Sequence, residues 1–532
     1  MEKNKKLIVL GVLALILIIS GITYAILTWT SSRVNIGLTS NCFTIDYTKG
    51  NDIANASIKA LNESDLISDN KFTIKEGIAL TYANIGIKST CTIEGYGSLY
   101  LNVTTLSSAF STGNSKGALK YAVLDNTSTT STVTVASLLN QKFNIVSKGS
   151  ITSTGKITLL TKQLSNTKLN KYLIVIYADV SKIANDAMDA SFNGTVSADA
   201  NQGTAPVNAV ELITDLYTNA PKTTTAVNNI TYNLAPSKGL MNDRKGSMST
   251  GIDAGNIRYY GANPNNYIYF NCSDYKNQSS STCETWRIIG VFDGKVKLIR
   301  GSQIGTYSWD NKNTSTGAET AWGKNDWTDA RLMKLLNPGY ESETIGGSLY
   351  YNAKSGNCYS GQNNATKACY FTTTGLKNNT TRNMIAETTY YTRGHNTASI
   401  YVDAMYDKER VSGTVYSGRS TSWTGKVAIP YPSDYGYAAD LSLCQKTLYD
   451  YNNATCTSNN WMKTIITVYE GWLLTPYSVS GSGAWHARSA GKVDFGNSAY
   501  DANGVAPVLS LISELDIGSG TGESNSPYQL SV

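Results

Sequence analysis

GWLLTPYSVSGSGAWHARSAGKVDFGNSAYDANGVAPVLSL, residues 471–511, is a succession of short apolar runs and polar turns. Trp472–Leu474 meets Thr475-Pro476, a Ser/Gly loop leads to Trp485-His486, Gly491 marks a turn, and Gly504 opens a last apolar run, Val505–Leu511. Short β-type segments bounded by Gly, Pro, Asn and Asp read as strands. The polar loops between them, carrying Tyr, Trp, His and Arg, read as a recognition surface on a rigid scaffold.

Working outward, the same residues carry a resemblance. The run W-L-x-(S/T)-P at Trp472–Pro476, W-x-V/A at Trp485–Ala487, G-x-V at Gly491–Val493 and G-V-x-P-V/A-L-x-L at Gly504–Leu511 resembles the closing strands of the formylglycine-generating-enzyme-like, C-type-lectin-like fold. With weaker similarity upstream, the likeness covers Asn256 to the C-terminus. It implies a looped-sheet domain with two helices. Those enzymes hold copper with a cysteine pair near the C-terminus, whereas no cysteine follows Cys456 here. The resemblance is therefore one of scaffold, and fold alone does not imply function.

The chain is 532 residues long, too much for one ordinary domain of ~100–200 residues. Its basic and acidic groups nearly balance, 45 against 39, and no strongly basic block lies outside the N-terminus, which argues against a nucleic-acid partner. Lys3, Lys5 and Lys6 precede the apolar segment Leu7–Leu27. At ~1.5 Å per residue this segment crosses a bilayer core of ~30 Å, and the lysines put its N-terminal end in the cytoplasm. The expected product is a single-pass cell-surface protein, or a secreted one after cleavage near Ala25.

The eight cysteines fit export. Six fall as local pairs flanking polar loops: Cys272/Cys283, Cys358/Cys369 and Cys444/Cys456; Cys42 and Cys91 remain for each other. The expected organisation is a signal or transmembrane helix at 1–30, an antiparallel β-sandwich at 31–202, a connector at 203–255, and a C-type-lectin-like domain at 256–532. The whole is multidomain and mainly β with an α+β head. Val34–Asp46, Phe72–Tyr82, Ala83–Val103, Leu119–Val123 and Tyr172–Ala178 read as strands of the sandwich. In the head, Asp293-Gly294 between apolar runs predicts a hairpin. Trp327–Leu336 predicts a helix capped by Thr328, and Thr381–Tyr391 a second helix.

Gly21–Thr30 and Tyr172–Gln202 resemble the signal-peptide exit and last strands of camelysin and TasA-type exported surface proteins, which implies a jelly-roll-like scaffold and possible self-assembly. Residues 31–202 contain no His and the chain contains no H-E-x-x-H helix, so proteolysis is not carried over.

No catalytic constellation emerges. Only His395 and His486 could act as imidazole bases, and neither has a nucleophile legible beside it. Nothing points to a cofactor. The calcium-lectin patterns E-P-N and W-N-D are missing, which leaves Asp434 and Asp440 as carboxylates in an expected loop and a metal site unassigned. The positive signal is aromatic: Trp485, His486, Arg488 and Tyr500 in the last loops, with Tyr435 and Tyr437 in YPSDYGY, are the ligand-binding candidates. The loops Ser478–Arg488, Gly496–Asn503 and Ser433–Ala439 are expected to form one exposed surface. The expected function is non-enzymatic binding or adhesion to a host or bacterial surface protein or glycan. The alternatives are a fibre-forming biofilm-matrix protein and a surface enzyme.

Overall fold

The computed structural model describes residues 43–531 apart from 55–57, 90–94, 127–132, 166–167, 188–189, 203–204, 246–254, 313–321 and 362–363. The expected membrane segment Leu7–Leu27 and the expected Cys42–Cys91 bridge lie outside the described residues. Among the described residues no helix is long and apolar enough to cross a membrane. The chain is mainly β and divides into two units, one ending at Pro206 and one spanning Val207–Val532.

In the first unit, Tyr172–Ala178 explains the layering. The run YLIVIYA has no polar face, which marks a strand buried on both sides. It lies within the strand Asn170–Asp179, between Ala79–Ser89 and Leu119–Asp125 in an eight-stranded sheet. Tyr172, Ile174 and Ile176 face one core, shared with Leu101 and Val196 of a second, four-stranded sheet. Leu173, Val175 and Tyr177 face a smaller core with Phe72 and Phe143. The two mainly antiparallel sheets therefore pack over the first core, and the smaller core lies on the other face of the eight-stranded sheet.

The second unit is built on a nine-stranded and a five-stranded sheet. The hairpin at Asp293-Gly294 joins Glu284–Phe292 to Lys295–Arg300, and both turn residues take positive φ, 47° and 70°. That is the primed turn whose twist matches paired strands. Gly290 is required by a close approach: a Cβ there would lie 2.1 Å from the Ile257 carbonyl oxygen on the neighbouring strand.

The expected connector is corrected. Thr223–Val227, Ile230–Ala235 and Leu240–Asn242 are consecutive strands of the nine-stranded sheet, and Val207-Asn208 pairs with 516–517 near the C-terminus. The physical reason is β-branched content around an Asn228-Asn229 turn with both residues at positive φ. A helix runs over Ala209–Thr218, with the Asn208 side chain accepting from the Val210 and Glu211 amides. In the head, the first expected helix shortens to Arg331–Leu336. Thr328 does not cap it: its N–H and hydroxyl donate to Asp326 instead. The second expected helix covers only Asn379–Asn383, and Thr388–Tyr391 is a strand paired with Ser422–Gly425.

Cys272–Cys283, Cys358–Cys369 and Cys444–Cys456 are disulfides, with Cα–Cα separations of 3.8, 5.9 and 4.7 Å. Three bridges place this unit in an oxidising environment. Each closes a short loop and should contribute ~2–4 kcal/mol. All tryptophans but Trp29 lie in this unit, so their fluorescence reports on it alone. Denaturant melts followed that way should shift to markedly lower midpoints after full reduction; an unchanged midpoint would contradict a structural role for the bridges.

Candidate functional site

The last strands bury most of the residues expected to meet a ligand. Gly483–Ala487 is a strand between Gly471–Pro476 and Val493–Ser498, not a loop. Its two faces enter two different cores. Trp485 packs edge-on against Phe495, ring centroids 5.2 Å apart, and its indole N–H donates to the His395 carbonyl. His486 points the other way, edge-on to Trp472 at 6.4 Å. Tyr435 and Tyr437 sit in a buried helix, Pro432–Tyr437; Tyr435 donates its hydroxyl proton to the Gly491 carbonyl, and Tyr437 covers the Arg258 guanidinium at 4.6 Å. Ser433–Ala439 is thus core, and the expectation of one exposed surface from all three loops is corrected. Proline at the first helical position and an aspartate in the first turn were the signals for that helix. Arg488 remains half-exposed, its Nε 3.4 Å from Asp494.

His486 is fully buried, and neither ring nitrogen has a hydrogen-bond partner. The nearest charge is Glu470, 3.8 Å from Nε2. Burial lowers the imidazole to about 4, against the opposing pull of Glu470. The folded state therefore prefers neutral imidazole. Stability linked to it is complete above pH ~6.5 and is lost as pH falls towards 4, by at most about 3 kcal/mol. Replacing His486 by Leu should flatten this part of the stability–pH curve; an identical slope would exclude His486 as its source.

Two of the expected loops do come together, and a residue from an earlier segment, absent from the expected set, packs against them. The Ala499 amide donates to the Ser482 carbonyl, which sets 499–500 beside the loop 477–483. There Tyr500, 8 % exposed, stacks on Trp322, 49 % exposed, at a centroid distance of 5.6 Å and an interplanar angle of 18°. One indole face is backed and the rest meets solvent, next to a loop whose Val479 is also exposed. The floor is fixed by a buried side chain: the Asn325 amide donates to the carbonyls of Tyr477, Ser480 and Gly483. Arg419 in turn donates to the Asn325 side-chain oxygen and the Gly481 carbonyl. A flat aromatic surface on a pinned polar loop can stack a sugar ring or anchor a protein side chain without ordering itself on binding. The legible signal was a Trp closing the Asn/Ser/Thr/Gly-rich run NTSTGAETAW. An open cleft of about 360 Å³ elsewhere in the unit is lined by Tyr260, Asn263, Asn265 and Tyr528, with Lys238 and Asp440 its only charges.

Asp434, weighed above as a calcium ligand, belongs instead to a buried ionic cluster of three acids and three bases. Its carboxylate accepts from Arg258 Nη1 at 3.0 Å, Lys297 Nζ at 2.5 Å and the Tyr431 amide at 3.0 Å. Arg258 also bonds Asp243 through Nε, and Glu409 pairs with Arg410 while accepting from Ser433 N and Oγ. Burial alone would raise the Asp434 carboxyl, but Lys297, Arg258 and Arg410 hold it far below the usual carboxylate range. Burial lowers the Lys297 ammonium to about 8 against the attraction of Asp434. Asp440 accepts from its neighbour Ser442. Among the described residues no group of three or more His, Cys, Asp or Glu is placed to hold a metal ion.

No protein-family model, curated protein or solved structure matches this chain.

Proposed function

We propose that this protein is a surface-displayed, non-enzymatic binding protein whose C-terminal unit engages a host or bacterial surface glycan or protein through Trp322 and Tyr500. The observation that carries the reading is the half-exposed indole stacked on a tyrosine over a loop pinned by Asn325. Aromatic anchors on rigid supports dominate binding energy in recognition surfaces. The two-sheet first unit serves as a jelly-roll-like spacer, the second unit is a C-type-lectin-like head, and Leu7–Leu27 holds the chain in the membrane. The three disulfides support display outside the cytoplasm. Probing glycan and protein arrays with Ser31–Val532 tests the proposal. A ligand set bound by this protein and lost on replacing Trp322 by Ala supports it. Assembly into polymers with no array binding would favour the matrix-protein reading, and turnover of an array compound would favour an enzyme.

A further inference from the structure

The contacts between Lys297, on the strand Lys295–Arg300, and Asp434, in the first turn of the helix Pro432–Tyr437, bring an amine and an acyl group together in a water-excluded site. We propose that Lys297 Nζ and Asp434 Cγ become joined in an intramolecular amide, a covalent cross-link between the nine-stranded sheet and the helix.

Position comes first. Nζ lies 2.5 Å from Oδ2, and both residues are buried, so the two groups have no competing partner in solvent. Reacting groups fixed in this way behave as if at effective concentrations of ~10⁵ M or more. The acyl carbon is polarised from both sides: Arg258 Nη1 donates to Oδ1, and the Tyr431 amide donates to Oδ2. The same donors are in place to hold negative charge on oxygen in a tetrahedral adduct. Burial lowers the ammonium to about 8, in the direction that favours the free amine needed for attack.

The step balances without a co-reactant. Starting from the ion pair, one proton passes from the ammonium to a carboxylate oxygen. The resulting amine attacks Cγ, an N–C bond forms and one C–O bond breaks, and the oxygen leaves as water with that proton and a second one from the nitrogen. The charges also balance afterwards. Arg258 keeps Asp243 and Arg410 keeps Glu409, while the buried Lys297–Asp434 ion pair becomes a neutral amide whose oxygen can accept from Arg258. The first unit contains a contrasting arrangement. Lys120 lies 2.8 Å from Asp179 and 2.6 Å from Glu63, but the Glu63 side chain is one-third exposed and both carboxylates hold the lysine ammonium above its usual range despite partial burial. That pair should stay ionic, and it serves as the internal control.

The test is peptide mapping of the purified full chain, unfolded, reduced, alkylated and digested with trypsin. The expected species is Val296–Arg300 joined to Val427–Lys446, lighter than the sum of the two by one water and uncut after Lys297. Fragment ions should place the junction on Lys297 and Asp434, while cleavage after Lys120 proceeds. A Lys297→Arg variant should lose the joined species and release Val427–Lys446 alone. Recovery of free Val427–Lys446 as the dominant form from the unaltered protein, with cleavage after Lys297, would overturn the proposal without any variant having to fold.

Discussion

Replacing Asp434 by Ala should cost the C-terminal unit about 3–5 kcal/mol, the range for removing one partner of a buried charged group. Among the described residues the carboxylate is the one acid in contact with Lys297 and one of two in contact with Arg258. Without it Lys297 must discard its proton or remain charged in the core, and Arg258, whose Nη2 already has no hydrogen-bond partner, is left with Asp243 alone. The loss arises whether Asp434 is ion-paired with Lys297 or joined to it as an amide, since either form satisfies Lys297. Pairing Asp434→Leu with Lys297→Met should recover much of the loss, because each remaining base keeps its own acid: Arg258 with Asp243, Arg410 with Glu409. Tryptophan-fluorescence denaturation of the single and double variants decides this. A loss under about 1 kcal/mol for Asp434→Ala would mean that water reaches the cluster.

Part of this molecule was open to reading from the sequence because the signals were local. Asp293-Gly294 carries its turn chemistry in two residues, the local cysteine pairs needed only spacing, and YLIVIYA announced a doubly buried strand by having no polar face. The rest depends on distant partners. His486 and Trp485 look like loop residues until two flanking strands enclose them. Asp243, Arg258, Lys297, Glu409, Arg410 and Asp434 are scattered over 192 positions of chain (243 to 434, inclusive) and share no periodicity, so their convergence had no sequence signature. The strands of segment 223–242 carry a weaker local signal, an Asn-Asn turn between short β-branched runs, and their place in the sheet depends on later strands. The candidate surface was half legible. The loops Ser478–Arg488 and Gly496–Asn503 were expected to share one exposed surface; Ala499 does bond Ser482, but both are buried, and Trp322, which exposes an aromatic face there, comes from a segment more than 150 residues earlier.

The second large effect concerns that indole. Truncating Trp322 to Ala should weaken ligand binding by at least about 30-fold, which corresponds to the ~2 kcal/mol or more carried by an aromatic anchor at the centre of an interface. The same change should leave the unfolding midpoint almost unaltered. Trp322 is about half exposed and belongs to neither core cluster of this unit, and surface changes usually cost within about 0.5 kcal/mol. Tyr500→Ala should also weaken binding, but it removes a side chain that is mostly enclosed and carries some stability cost as well.

Titration of the best array ligand into the unaltered protein and the Trp322→Ala variant, each with its melt recorded in parallel, tests the central claim most directly. Strong binding lost at constant melting temperature is the predicted result. Full-strength binding by the variant would contradict it, and would move the search to the cleft lined by Tyr260, Asn263 and Tyr528.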